Sequence, residues 1–354
     1  MKKYILIISF LLIILISSIA FKMYQSKNID KKEKEIHNIP IETLPDNKIQ
    51  TVKITAAGDC TIGWDTKFAY EGRFDQVFKK NNSNYGYFFA NVKDLFEKDD
   101  LTIVNLEGTF TNYTVKREKM WNFSAPPDYV NILLQGNIDI VSFANNHTHD
   151  YGEQGYIDTI KTLDDASLPY YGYDKFLIKE VNGIKIGFFG LLDIYGQKFE
   201  EVNKAIKYLK DNNCDLIIAS MHWGIEKDYK QSKEQEKMGH YLIDNGVDLV
   251  IGHHPHVIQG IEKYKGKYII YSLANFSFGG NQNPKDKDTL IYQQTFTFYN
   301  NKLEEDDNIK IIPASVSSVK SPNNYQPTIL EGEEKDRVLN KILTYSSGFN
   351  YKNK

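Results

Sequence analysis

Seven short runs rich in Val, Ile and Phe punctuate this chain and set what it can fold into. They are "TVKITAAG" from Thr51, "LTIVNL" from Leu101, "IDIVSFA" from Ile138, "IKIGFFGLL" from Ile184, "DLIIASM" from Asp215, "VDLVIG" from Val247 and "KYIIYSLA" from Lys267. Each has strand length, and a near-continuous apolar run is the mark of a strand buried on both faces. Between most of them the spacing predicts helices, over 87–98, 128–135, 153–166, 199–212 and 232–245. Strands alternating with helices predict an α/β domain with covered sheet faces. The stretch from Leu290 to Val316, with "NNKLEEDDN" at its middle, reads instead as an antiparallel hairpin, and a last helix is expected over 333–345.

Ahead of the first run the chain opens Met1-Lys2-Lys3, then "YILIISFLLIILISSIAF" from Tyr4 to Phe21, then Lys22. A basic flank, an unbroken apolar stretch and a polar exit make an export signal. Ser18-Ile19-Ala20 offers small residues for cleavage, whereas the length suits a bilayer span of about 17–25 residues. Because Lys2 and Lys3 also meet the positive-inside preference, the expectation is an uncleaved signal-anchor helix over residues 1–22. It would hold the rest of the chain at the cell membrane on the extracytoplasmic side. Residues 23–50, polar and rich in Lys and Glu, cannot bury enough surface to offset chain entropy and are expected to form a flexible stalk. Beyond the stalk the chain divides into a main domain over 51–320 and a C-terminal helix and tail over 321–354.

Charge and cysteine usage narrow the function classes. The formal net charge is −3, with lysines scattered among acidic residues. Without a basic stripe or aromatic–basic interleaving, a nucleic-acid partner has no support. Two cysteines, Cys60 and Cys214, are too few for a disulfide framework and read as buried thiols.

Polar residues gather where the apolar runs end. The first run leads to Asp59; the second to Asn105 and Glu107; the third to Asn145, Asn146, His147, His149 and Asp150. "IIASMHWGIE" leads to His222 and Glu226, and "LVIGHHPH" to His253, His254 and His256. In open α/β sheets the C-terminal strand ends line the ligand crevice. Asp, Glu, Asn and His suit a hard or borderline divalent ion of the Mn, Zn or Fe type. The set exceeds what one closed four-ligand site needs, and would fill two adjacent sites with a bridging carboxylate. His254-Pro255-His256 suggests one imidazole for each ion, since alternate residues of an extended segment point to opposite sides.

These residues carry a resemblance. Gly58-Asp59, Asn105-Leu106-Glu107, Ala144-Asn145-Asn146-His147 with Asp150-Tyr151-Gly152, His222-Trp223-Gly224 with Glu226, His254-Pro255-His256 and Ser272-Leu273-Ala274-Asn275-Phe276 occur in that order. The chain resembles the CapA family of poly-γ-glutamate capsule biosynthesis proteins, relatives of the calcineurin-like metallophosphatases. The resemblance implies a four-layer α/β/β/α sandwich of the metallophosphatase-like type, preceded by the membrane helix, around one or two divalent metal ions. It implies that Asp59 binds the first metal, that Glu107 bridges, that Asn146, His222 and His254 hold the second, and that His256 returns to the first. His147 would be the general acid or a substrate contact. Asn105, Asn145, Asp150, Glu226 and Asn275 would support the ligands without binding metal. Two positions depart from the pattern: Glu107 replaces the usual bridging Asp with a longer arm, and metallophosphatases read Asp-x-His at the first motif, where Asp59-Cys60-Thr61 has no histidine. The first metal position is then weak, uses Cys60, or is absent.

Each residue also has a plainer role open to it. Asp59 can cap a helix or turn, Glu107 can be a solvated turn carboxylate, and Asn145 and Asn146 can bond the local backbone. His147 and His222 can be satisfied core histidines, and His149 and His253 are expected outside the metal shell. Two functions are open: a metal-dependent hydrolase of metallophosphoesterase type, or a non-catalytic scaffold that binds the capsule polymer or its membrane synthase or exporter. A cell-envelope phosphoesterase is the alternative outside capsule assembly.

Overall fold

The computed structural model describes residues 15–28, 48–304 and 308–351. Residues 15–28 are helical, so helix runs six residues past the expected end of the anchor at Lys22. Residues 1–14 of the expected membrane helix, and residues 29–47 of the expected stalk, lie outside the described residues. Among the described residues no helix is long and apolar enough to cross a membrane.

From Lys48 onward the chain is one compact unit, a mixed α/β fold. Its first strand, β1 (Ile49–Thr61), begins two residues before the expected domain start and pairs with β2 (Leu101–Leu106) in parallel. A small ribbon, β3 (Thr109–Phe110) with β4 (Ser124–Ala125), precedes β5 (Ile140–Ser142) and β6 (Tyr170–Tyr171), which extend the sheet beyond β2. A second sheet is built from β7 (Leu177–Val181), β8 (Ile184–Asp193), β9 (Leu216–Trp223), β10 (Leu249–His253), β11 (Ile261–Tyr264) and β12 (Lys267–Ile270). Its order is β11-β12-β10-β9-β8-β7, with the four inner strands parallel.

The chain then returns to the first sheet. β13 (Asn275–Phe278) pairs with the end of β1, and β14 (Asp288–Tyr299) runs antiparallel to its beginning. The short β15 (Lys302–Leu303) and β16 (Ile309–Ser315) complete the expected hairpin. β17 (Thr328–Ile329) adds to β16, and the last helix, Gly332–Tyr345, buries Val338 and Ile342 in the core. Residues after 320 thus pack as part of the same unit.

Side-chain parity explains the layering. Even positions of β1 (Val52, Ile54, Ala56) and odd positions of β2 (Leu101, Ile103) share one buried cluster with Ile186 and Phe188 of β8, Ile218 of β9 and Ile251 of β10. The other face of the first sheet, with Val104 and Val141, packs on Phe74, Phe78, Ile132, Leu133 and Leu163. The other face of the second, with Ala219 and Val250, packs on Val202, Leu209, Met238 and Leu242 of the helices Phe199–Asp211 and Lys233–Asp244. The packing therefore runs helices, sheet, sheet, helices. Of the expected helices, 87–98 is the exception: only Lys93–Phe96 is α-helical, after a 3-10 turn at Tyr85–Tyr87. The Tyr87 carbonyl there takes a hydrogen bond from the Gln326 side chain, and Val92 N–H bonds back only three residues, to Phe89.

Candidate metal centre

The strand ends meet between the two sheets, and a register shift in β1 decides which side chains arrive there. Pairing between β1 and β2 slips between Ala56 and Asp59. Ala57 and Cys60 consequently face the helix side, while Asp59 turns toward the second sheet. Gly58 makes this fit possible: a Cβ there would collide with the Ala274 carbonyl, to which Asp59 N–H donates at 2.9 Å. On β2 the odd positions keep to the inner face, so Asn105 and then Glu107 follow Ile103 inward. His222 on β9 and His253 on β10 are direct register partners and continue the inner rows of Ile218 and Ile251.

Glu107 is the centre of the arrangement. It is fully buried, and its Oε1 lies 3.6 Å from His222 Nε2, 3.8 Å from His256 Nε2 and 4.0 Å from His147 Nε2. Neither carboxylate oxygen accepts a hydrogen bond, and His254 Nδ1 is also buried without one. Burial, with Asp59 close by, pushes the Glu107 carboxyl well above the usual carboxylate range despite the opposing pull of His256. Ligand atoms of Glu107, His254 and His256 lie within 4.8 Å of one another. A buried carboxylate without donors, ringed by imidazole nitrogens, is a donor set that fits a divalent cation, since unpaired buried charge is otherwise costly. Asp59 lies beside it. Burial raises its carboxyl, but the imidazoles of His253 and His256 overcome this and hold it well below the usual range. For His256, burial acts downward, and the Glu107 and Asp59 carboxylates outweigh it to raise the ring to about 9.

His254 and His256 do not sit on an extended segment as expected. Both have left-handed backbones, φ 97° and 58°. Such strain in non-glycine residues is held by surrounding structure and clusters at functional sites. Its effect here is to turn both rings toward Glu107 rather than to opposite sides. Burial, then the neighbouring His256, lowers His254 to about 4, so it is a neutral imidazole at neutral pH.

The flanking residues fall into two groups. Asn146 Oδ1 is 2.9 Å from His222 Nε2, which brings the first sheet's loop to the second sheet. Asn105 Nδ2 donates to Asp59 Oδ1 at 2.9 Å and faces His222 Nδ1 at 3.3 Å, while its Oδ1 accepts from Asn145 at 3.1 Å. Asn275 Oδ1 contacts His256 Nδ1 at 2.8 Å. His147 Nδ1 contacts Asp150 Oδ2 at 2.7 Å. Burial lowers His147 below its ordinary value. Glu226 is exposed and makes no hydrogen bond or ion pair to a histidine among the described residues. His149 stacks on Tyr156, away from the cluster.

Lys119 escapes the sequence reading, and His253 stands nearer the cluster than its expected place outside the metal shell. Lys119 donates to Asp150 Oδ1 at 2.6 Å and to the Asn146 carbonyl at 2.9 Å, from a loop with no motif to flag it. His253 Nδ1 stands 3.1 Å from Asp59 Oδ1, and the strand alternation Leu249, Ile251, His253 places it inward. At the departing motif, Thr61 spends its hydroxyl on the Glu107 carbonyl at 2.8 Å. Cys60 packs with Ile62 and Phe74 on the far face, and burial pushes its thiol up, so it stands apart from the cluster.

The family of bacterial capsule synthesis protein PGA_cap matches residues 53–280, which takes in every strand end just described. The chain belongs to this family, that of the CapA capsule biosynthesis proteins. Among family members, the capsule biosynthesis protein CapA of Bacillus anthracis is 31% identical over 228 residues, covering 55% of this chain and 55% of that protein. The PGA biosynthesis protein CapA of Bacillus subtilis is 29% identical over 272 residues, covering 70% of this chain and 71% of that one. A probable polyglutamine synthesis accessory protein of Mycobacterium tuberculosis is 27% identical over 230 residues, covering 54% and 60%. The match to the B. anthracis protein thus spans about half of its length. Among solved structures, a hypothetical protein from Thermus thermophilus superposes with a TM-score of 0.46 at 15% identity, covering 74% of this chain and 98% of that one.

Proposed function

We propose that this CapA-family chain acts in capsule (poly-γ-glutamate) synthesis or export at the cell surface, through a divalent-metal hydrolase centre in a four-layer α/β/β/α domain of metallophosphatase-like type. The observation that carries the metal reading is Glu107, a fully buried carboxylate with no hydrogen-bond donor and three imidazole nitrogens within 4.0 Å of one oxygen. The capsule context rests on family membership and on the names of the relatives. Asp59, Glu107, Asn146, His222, His254 and His256 would hold one or two ions, and their N and O donors suit Mn, Zn or Fe. When bound, the ion supplies Lewis-acid polarisation of a phosphoryl or acyl oxygen.

The chain's own residues supply proton transfer. Asp150 accepts from His147 Nδ1, and Lys119 pins Asp150 from the other side. This fixes the ring and leaves Nε2, on the side of Glu107, to exchange a proton with the reacting group. The apolar stretch Tyr4–Phe21 would anchor the chain, with the domain outside the membrane beside the capsule polymer or its synthase or exporter. Nucleic acid is not among its partners in this reading.

Elemental analysis of the full-length chain after Mn or Zn loading tests the centre, with one or two ions expected per chain and loss in Glu107→Ala and His254→Ala. No bound ion at neutral pH would sink the metal reading. Bound metal with wild-type capsule yield in cells carrying His147→Ala would leave a scaffold in place of the hydrolase.

A further inference from the structure

His253 stands apart from the rest of the cluster. It closes β10 on the inner face, beside its register partner His222, and is 1% exposed. Both ring nitrogens are buried without a hydrogen bond. Nδ1 faces the Asp59 carboxylate, 3.1 Å from Oδ1, whereas Nε2 has no such partner. The Asp59 carboxylate is otherwise supplied, by Asn105 Nδ2 on Oδ1 and by the His254 backbone N–H on Oδ2. A buried imidazole whose Nε2 finds no donor or acceptor is rare in a protein interior. A ring with one nitrogen facing a carboxylate and the other unpartnered is the arrangement of a metal-ligating histidine.

We infer that His253 is a metal ligand, completing with Asp59 a position next to the Glu107, His254 and His256 cluster. The inference rests on the metal reading above and extends it: the donor set contains one imidazole more than the sequence pattern assigns. His253 would bind as the neutral ring through one nitrogen, with no other change at the site. The competing role is a buried imidazolium that merely balances the Asp59 charge, which needs no ion.

The test uses the full-length chain loaded with Mn(II), comparing wild type with His253→Phe and His253→Gln. Phe fills the space without a donor, and Gln provides a second variant should Phe fail to fold, as judged by melting of the metal-free protein. Chelator competition gives affinity, and pulsed EPR counts the imidazole nitrogens coupled to the ion. The expected result is at least a tenfold weaker ion and one fewer coupled imidazole in a folded variant. Unchanged affinity and nitrogen count in a folded variant would overturn the His253 assignment and leave the metal centre standing. A wild-type chain that takes up no ion would overturn both.

Discussion

Asn146 Oδ1 and His222 Nε2 stand 2.9 Å apart, joining the loop after β5 to the end of β9. The two residues are 76 positions apart and belong to different sheets, so this contact measures how well the sheets converge on the site. Removing the amide in Asn146→Ala deletes one half-exposed hydrogen bond, with an expected stability loss of about 1 kcal/mol. Metal affinity should fall at least tenfold, because a donor and the partner of another are lost together. Thermal melts and chelator competition read the two effects separately. Unaltered affinity would remove Asn146 from the metal shell.

Metal uptake should tighten as pH rises. Metal-free, Glu107 holds its proton above the usual carboxylate range and His256 holds one up to about 9. A cation needs Glu107 ionised and His256 neutral, so binding releases protons, and each adds up to about tenfold in affinity per pH unit. Calorimetry in buffers of different ionisation enthalpy counts them. No release between pH 6.5 and 8.5 would contradict the charge arrangement.

The same groups shape the stability of the metal-free chain. His256 is raised from 6.5 to about 9, so its contribution is full below 6.5 and lost as pH climbs through 9. That loss is on the order of 3 kcal/mol. His254 is lowered to about 4, so its contribution is present above 6.5 and fades as pH falls toward 4. Melting temperature in chelator should therefore peak near neutral pH and drop on both sides. A flat profile from pH 5 to 9 would show that the two shifts do not hold.

His147→Gln should reduce turnover by roughly 10²–10⁴-fold, the usual range for losing a positioned acid–base group. It should leave metal content intact. Lys119→Met, which frees Asp150 on one side, should shift the pH optimum with a smaller fall in rate. Equal rates for wild type and His147→Gln at every pH would assign the ring a structural role.

Gly58→Ala should destabilise the domain by roughly 3 kcal/mol or more, since its Cβ meets a backbone carbonyl rather than a movable side chain. The damage would be local to the β1–β13 pairing and so reach Asp59 first. A variant with wild-type melting temperature would mean that β13 can retreat at little cost.

Much of the fold was legible because buried strands and amphipathic helices write their period into the chain. All seven apolar runs became strands, and the helix Lys233–Asp244 begins where Ser232 and Gln235 form a capping box. The expected helix over 87–98 failed because its period says nothing about a carbonyl captured by Gln326, 239 residues away. The candidate site was legible as a list of residue types at strand ends, but not as a geometry. His254-Pro255-His256 reads as a neutral spacer motif until two left-handed backbones turn both rings the same way. Lys119 joined only through contacts that no local pattern encodes, whereas the alternation along β10 already points His253 inward.

The sequence by itself determined the secondary-structure alphabet, the family, and which strand ends carry oxygen and imidazole donors, because hydrophobic period and residue chemistry are local properties. Only the tertiary structure decided which donors meet. The slip in β1 sends Asp59 inward and Cys60 outward, and parallel strands of two separate sheets bring Glu107 beside His222 and His256. Those outcomes depend on register and sheet-to-sheet packing, where a shift of one residue reverses every side chain and leaves the sequence pattern unchanged.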